Sequence, residues 1–369
     1  MTCSLKALRW FPEEVDSGLR QKTSTMRYAV VAALSILAVA PAALTVAAPA
    51  AQLIVLTQDR ITSVDMASSR LAVSRATSPG DARKVISAGP FVFLQRKQAV
   101  DVLDARTFQR LHMVEWSDEV RDVATSGSLL LVAVASDVHI LRVGAGGQTA
   151  TVRSIHLTKA VDALTAVGTR AYALDDLRVP LFMHRIDLSR PESPRVETMP
   201  WEDTNAHLKA QAVGDRWYVL VAYTTISERG QYVVMLPATT PLRELGQRTV
   251  ARERKPLRAG VPGQYFVEDF RVFRGVFFGV APADDHLWLV RRNLATEAAE
   301  TQRVADLGPV GSPGTERRGT LELVGSRLYV GTSSGLQGYE LDPVRPPTRV
   351  VNLQMPSLVV SIAIQIPGR

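Results

Sequence analysis

Along residues 51–369 the apolar positions come in short runs bounded by Gly, Pro, Ser and Asp, and nowhere do they sustain a helical period. Gly168, Gly214 and Gly325 each open the same pattern: glycine, any residue, arginine, apolar, tyrosine, apolar (GTRAYA, GDRWYV, GSRLYV). Each follows a short apolar run (DALTAV, KAQAV, LELV), and looser copies start at Gly89, Gly127 and Gly275. The pattern predicts two strands joined by a tight hairpin turn, in which glycine supplies a positive φ that branched side chains resist. The tyrosine and its apolar neighbours then belong to a strand buried on both faces.

A second mark follows each glycine. Strands are predicted to end near residues 65, 104, 142, 187, 237, 291 and 342, at spacings of 38 to 54 residues. Asp65, Asp104, Asp187 and Asp342 stand at four of these ends, where a carboxylate accepts hydrogen bonds from the amides of its own turn. The spacing suits four short strands with their turns, so the reading is an all-β fold, a β-propeller of seven four-stranded blades. A surplus strand, Leu358 to Ile366, follows the last full unit, while the first unit lacks one. Pairing that C-terminal strand with the N-terminal strands QLIVLT, ITSVDM and RLAVS closes the ring and removes its open edges. Six blades and a pair of β-sandwiches are the alternatives.

The segments ALTAVGTRAYALDDLRVPLFMHRIDLSRPESPRV and LELVGSRLYVGTSSGLQGYELDPVRPPTRV resemble the repeats of exported bacterial propellers of the LVIVD and YVTN types. The resemblance is good for these two units, fair for the unit at Gly89 and only architectural elsewhere. It implies a propeller in an extracytoplasmic setting and transfers no functional residue. The Gly-His and Trp-Asp pairs of WD repeats, the double glycine of kelch repeats and the tryptophan-docking signature of quinoprotein propellers are missing from the sequence.

The N-terminal part reads as an address. Arg27 follows Met26, an apolar stretch runs from Tyr28 to Ala40, Pro41 breaks it, and Ala48-Pro49-Ala50 offers a small-residue cleavage site. Residues 26–50 thus read as a signal peptide, and 1–25 as an extended n-region or a start placed too early. Residues 51–369 form a single propeller domain in this reading. A retained anchor is the alternative, since residues 29–51 carry no charge. The predicted location is periplasmic or extracellular.

Composition narrows the chemistry. Apolar residues make up 46% and charged residues 21%, a balance that excludes a disordered chain. The only cysteine, Cys3, lies in the N-terminal part, which excludes a disulfide framework, a thiol nucleophile and thiolate metal sites in the predicted domain. The net charge of +7 is spread too widely to imply nucleic acid. His112, His139, His156, His184, His207 and His286 show no metal-ligand spacing. Asp284-Asp285-His286 is the tightest titratable cluster and reads as a polar hairpin turn, with Asp175-Asp176 in the matching turn of its own unit. Gly144 to Gly147 reads as a β-turn, because a strand follows where a phosphate site needs a helix. No catalytic set, cofactor or metal site is expected.

Two features remain as binding candidates. A long loop between Pro237 and Gln264 carries Arg248, Arg252, Arg254, Lys255 and Arg258, a docking site for an acidic partner or simply a solvated loop. Trp201 is expected in a connection between blades, as an exposed anchor or a plug. The sequence therefore predicts a monomeric, exported, non-enzymatic binding scaffold with a protein partner in the cell envelope. The alternative is a periplasmic propeller enzyme, either a lactonase-like hydrolase or a dehydrogenase subunit.

Overall fold

Short apolar runs punctuated by turn residues have no period to sustain a helix, so their backbone groups pair sideways. The computed structural model describes residues 51–68, 70–76, 81–175, 181–202, 206–224, 229–238, 242, 254–257, 267–296, 300–310 and 319–365. Within them lie twenty-eight strands, β1 to β28 in chain order, all in the compact unit Ala47–Arg369. They form seven four-stranded antiparallel sheets, the blades of a β-propeller. No helix among the described residues is long and apolar enough to cross a membrane.

Blade 1 is the closing blade. Its inner strand is β28 (Val359–Gln365), followed outward by β1 (Gln52–Thr57), β2 (Arg60–Asp65) and β3 (Arg70–Ala76). Gln52 pairs with Gln365 and Leu53 with Ile364, so the ends of the domain are adjacent and antiparallel. Blades 2 to 7 are continuous in sequence, at residues 84–115, 120–156, 161–202, 206–256, 269–309 and 320–354. Their inner strands are β4 (Lys84–Ala88), β8 (Val120–Ser126), β12 (Val161–Val167), β16 (Ala206–Val213), β20 (Asp269–Phe273) and β24 (Thr320–Val324). Each inner strand lies against the next, and β24 lies against β28, which closes the ring.

The core lies between blades. There are seven apolar clusters, and each joins the facing surfaces of one neighbouring pair. The last of them packs Tyr329 and Leu336 of blade 7 on Leu53, Val55 and Ile362 of blade 1. Between blades 4 and 5, Tyr172 stacks on Trp217 at 4.0 Å. A strand second from the axis therefore has a neighbour on both faces, and β9 (Leu129–Val134) is buried at every position. Outer strands alternate with solvent or face it altogether.

The glycines of the repeat do what the pattern requires. Gly89, Gly127, Gly168, Gly214, Gly275 and Gly325, one in each blade except blade 1, all have φ between 55° and 77° in the turn from the first strand to the second. The aspartates at strand ends also behave as expected. Asp104 Oδ1 accepts the amides of Arg106 (3.0 Å) and Thr107 (2.8 Å), and Asp187 Oδ1 accepts that of Ser189 (2.9 Å). In blade 6 Asn293 takes the role, accepting the Ala295 amide. One detail differs: in blade 7 the third strand ends at Glu340, and Asp342 sits two residues on, inside the turn.

Candidate functional site

The inner strands carry one residue from each blade at a common level, each paired with the fifth residue of its neighbouring strand: Ser361, Lys84, Asp122, Ala163, Lys209, Asp269 and Thr320. At this level side chains reach across blade junctions. The Lys84 ammonium donates to Asp122 Oδ1 (2.6 Å) and to the Val123 carbonyl (2.9 Å). Asp122 Oδ2 accepts the Leu164 amide at 2.7 Å, and Asp269 Oδ2 accepts the Leu321 amide at 2.8 Å. Ser361 Oγ accepts the Val85 amide at 3.1 Å, and Lys209 donates to the Glu268 carbonyl. The inner edge of an inner strand has no ladder partner, and these side chains satisfy part of it.

The densest part of the belt joins blades 6 and 7. Arg271 bridges Asp269 (3.2 Å) and Glu322 (2.8 Å), with all three side chains about one-fifth exposed or less. Burial raises the Asp269 carboxyl, but Arg271, Lys209 and the amides of Leu321 and Phe270 outweigh it and hold it below its ordinary 3.8. Burial likewise disfavours charge on Arg271, and Glu322 and Asp269 reverse that. Asp122 through both oxygens, Asp269 through Oδ2 and Glu322 through Oε2 thus join neighbouring blades. Among the described residues no three His, Cys, Asp or Glu side chains stand together as a metal-holding group.

Of the residues singled out in the sequence, Asp284 and Asp285 form a two-residue hairpin turn, with φ of 50° and 62°. His286 begins the next strand and pairs with Asp306 at 2.9 Å. Gly144 to Gly147 make the expected turn, closed by the Gly147 amide on the Gly144 carbonyl. Arg254 and Lys255 belong to a short strand, β19 (Arg254–Pro256), paired with β18 (Arg229–Pro237), where a loop was expected. Arg248, Arg252 and Arg258 lie outside the described residues. Trp201 is in the outer strand β15 (Arg195–Glu202) rather than a connection, because the ladder with β14 (Leu181–Asp187) runs on to Glu202. The side chains of Trp201, Arg254 and Lys255 are outside the described residues, as is Asp176.

Asp175 departs from expectation. It ends β13 (Arg170–Asp175) and is fully buried, with Oδ1 2.8 Å from His184 Nε2 and Oδ2 accepting the Phe182 amide. His184 Nδ1 lies 3.0 Å from Thr198 Oγ1. A dyad with every nitrogen and carboxylate oxygen engaged inside one blade is a buried polar link. Its signal was the nine-residue separation across a hairpin, which sets the two side chains on adjacent strands.

Charge is unevenly divided between the two ends of the propeller. One end holds the glycine turns and the turns that lead into the outer strands. Every blade brings an arginine there: Arg70, Arg110, Arg142, Arg170, Arg216, Arg274 and Arg327. Described arginines outnumber acids at this end. Among the described residues of the other end acids prevail, with Asp59, Asp81, Asp118, Glu119, Asp137, Asp284 and Asp285 in its turns and connections. The connection between β18 and β19, which carries Arg248 and Arg252, leaves and returns at the arginine end.

No protein-family model and no curated protein matches the chain. Solved structures do. Apo AztD from Citrobacter koseri superposes with a TM-score of 0.55 at 10% identity, over 86% of this chain and 98% of that one. Hsv2 from Kluyveromyces marxianus gives 0.55 at 11%, over 82% and 95%. The dihydro-heme d1 dehydrogenase NirN, in complex with DHE, gives 0.56 at 13%, over 86% and 75%. Identities this low establish the β-propeller fold alone, and that fold hosts enzymes and binding proteins alike.

Proposed function

We infer that the protein is an exported, non-enzymatic β-propeller that binds an acidic partner of the cell envelope through its arginine end. The observation that carries this reading is the division of charge. Asp122, Asp269 and Glu322 join blades across the inner ring, whereas described arginines from all seven blades gather at one end. Loops and turns held on a rigid ring commonly carry recognition, and a surface of one sign raises the encounter rate with a partner of the other. A hydrolase or dehydrogenase subunit would instead need carboxylate or imidazole groups left free at the axis.

The test is affinity capture from envelope extract, using the protein beside a copy in which Arg110, Arg216, Arg248 and Arg252 are changed to Ser. Retention of a stoichiometric partner by the first and its loss by the second is the expected result. Retention by neither, together with turnover in a lactone or amine screen, would overturn the scaffold reading. N-terminal sequencing of the protein recovered outside the cytoplasm should begin at Ala51. Recovery only inside the cytoplasm would remove the export proposal.

A further inference from the structure

We propose that the arginine end of the propeller rests on an anionic lipid surface, with blades 7, 1 and 2 making the contact. This rests on the scaffold reading and names the chemistry of the acidic surface that reading invokes.

Among the described residues the large apolar side chains that stand exposed are Leu111 (42%), Val344 (80%) and Val350 (48%). All three lie at the arginine end, on blades 2 and 7, the two neighbours of blade 1. Leu111 and Val350 occupy equivalent places. Each is the extra residue of a β-bulge in an outer strand, β7 (Arg110–Glu115) and β27 (Thr348–Gln354), just after the turn. A bulge re-aims the side chain it carries, and here each such residue directly follows an exposed arginine, Arg110 or Arg349.

Val344 is held out by design of its turn. Asp342 Oδ1 accepts the amides of Val344 (2.7 Å) and Arg345 (2.8 Å). From blade 6, Arg291 donates to the carbonyls of Arg345 (2.8 Å), Val344 (3.1 Å) and Pro343 (3.3 Å). Five hydrogen bonds and the prolines at 343, 346 and 347 fix the backbone, so the apolar tip is presented without an ordering cost on contact. An apolar tip flanked by arginines, whose stems lie along apolar surface while their heads reach charge, is chemistry for the boundary between headgroups and acyl chains.

Two further observations favour lipid over an acidic polypeptide. The arginines are distributed one or more to each blade around the whole end, which matches an extended layer of negative charge better than a single groove or segment. The chain also enters the propeller at this end: β1 starts at Gln52, directly after the uncharged apolar run 29–51.

The decisive experiment reads which end touches lipid, independently of any tethering by the apolar run. Full-length protein carrying Cys3→Ser receives a single cysteine at Val344, Leu111 or, at the opposite end, Asp285, and each is labelled with an environment-sensitive fluorophore. Vesicles are phosphatidylcholine alone or with about one-third phosphatidylglycerol. The expected result is a blue shift and shielding from a neutral aqueous quencher at 344 and 111 but not at 285. That response should require phosphatidylglycerol, fade in high salt, and weaken roughly five-fold for each of Arg345→Ser and Arg349→Ser. Leu111, Asp285, Val344, Arg345 and Arg349 are exposed, and a thermal melt of each variant checks that it folds as the parent does. Equal responses at both ends, or indifference to lipid charge, would overturn the proposal. So would a shift at 344 produced by polyglutamate and not by vesicles, which would assign the end to an acidic polypeptide. A negative vesicle result beside a partner captured as above would leave the scaffold reading standing and remove only the lipid surface.

Discussion

Gly168 sits in its turn at φ 55° with no atom within 4 Å of the place a Cβ would occupy. Any penalty for replacing it is therefore conformational rather than steric. Gly168→Val should lower stability by about 1–2 kcal/mol while Gly168→Asn, a residue that tolerates this region, should cost less than half as much. Thermal melts of the two variants separate a backbone requirement from a packing one, and equal melting temperatures would refute it. Asp269 makes a different demand. Its folded pKa lies below 3.8, so its contribution is present above that value and declines as pH falls through the lower folded value. Asp269→Asn should reduce stability near neutral pH and flatten the acid limb of the unfolding profile; an acid limb as steep as the parent's would show that other carboxylates govern it. Arg271→Met should be worse, by roughly 2–4 kcal/mol, because it strands two inner-ring carboxylates. The turn aspartates were legible because their partners are two or three residues away. Asp175 and His184 were not, since their meeting depends on which hairpin residues pair and on which face the pair lands.

Burial peaks in the strand second from the axis and is least in the outer strand. Leu131 in β9 is fully buried between blades 3 and 4, and Leu131→Ala should cost about 2–5 kcal/mol. Val350→Ala in the outer strand β27 should fall within about 0.5 kcal/mol of the parent. Denaturant titration of both measures the gradient, and similar losses would mean the outer strands are covered in solution. The repeat pattern marked the glycine turn and the two strands beside it because those positions are constrained on both faces. Outer strands have one face and one edge in water, so polar and apolar residues serve equally and the pattern fades. That is why Arg254 and Lys255 read as loop although they extend the blade 5 sheet, and why Trp201 read as a connection. The bulges that expose Leu111 and Val350 left no trace in the sequence, because one extra residue in an outer strand alters no turn signal.

For the whole molecule, seven inter-blade clusters must close on themselves, and the ring has one seam. Removing residues 357–369 takes away β28 and with it Ser361, whose hydroxyl accepts the Val85 amide, and Gln365, which donates to the Gly89 carbonyl. Both faces of blade 1 then lose their inner strand, exposing Leu53, Ile54 and Leu56 along an unpaired edge. The truncated protein should aggregate or unfold without cooperativity; a soluble, cooperative monomer would show that six blades and a remnant suffice. Blade number and closure were accessible in advance from the seven strand ends and the surplus C-terminal strand. The division of charge between ends was not, because each arginine is ordinary in its own repeat and the ends exist only once the strands have a direction.

The same seam sets a schedule. During synthesis β1, β2 and β3 are complete by residue 76, yet the strand that covers their inner edge starts at residue 359. The first sheet to be made is the last to be finished. The nascent chain can build blades 2 to 7 in order, each resting on the one before, while the opening sheet waits without its inner partner until β28 arrives. A pause, a premature stop or a cut ahead of β28 therefore damages the sheet that opens the propeller, some three hundred residues upstream.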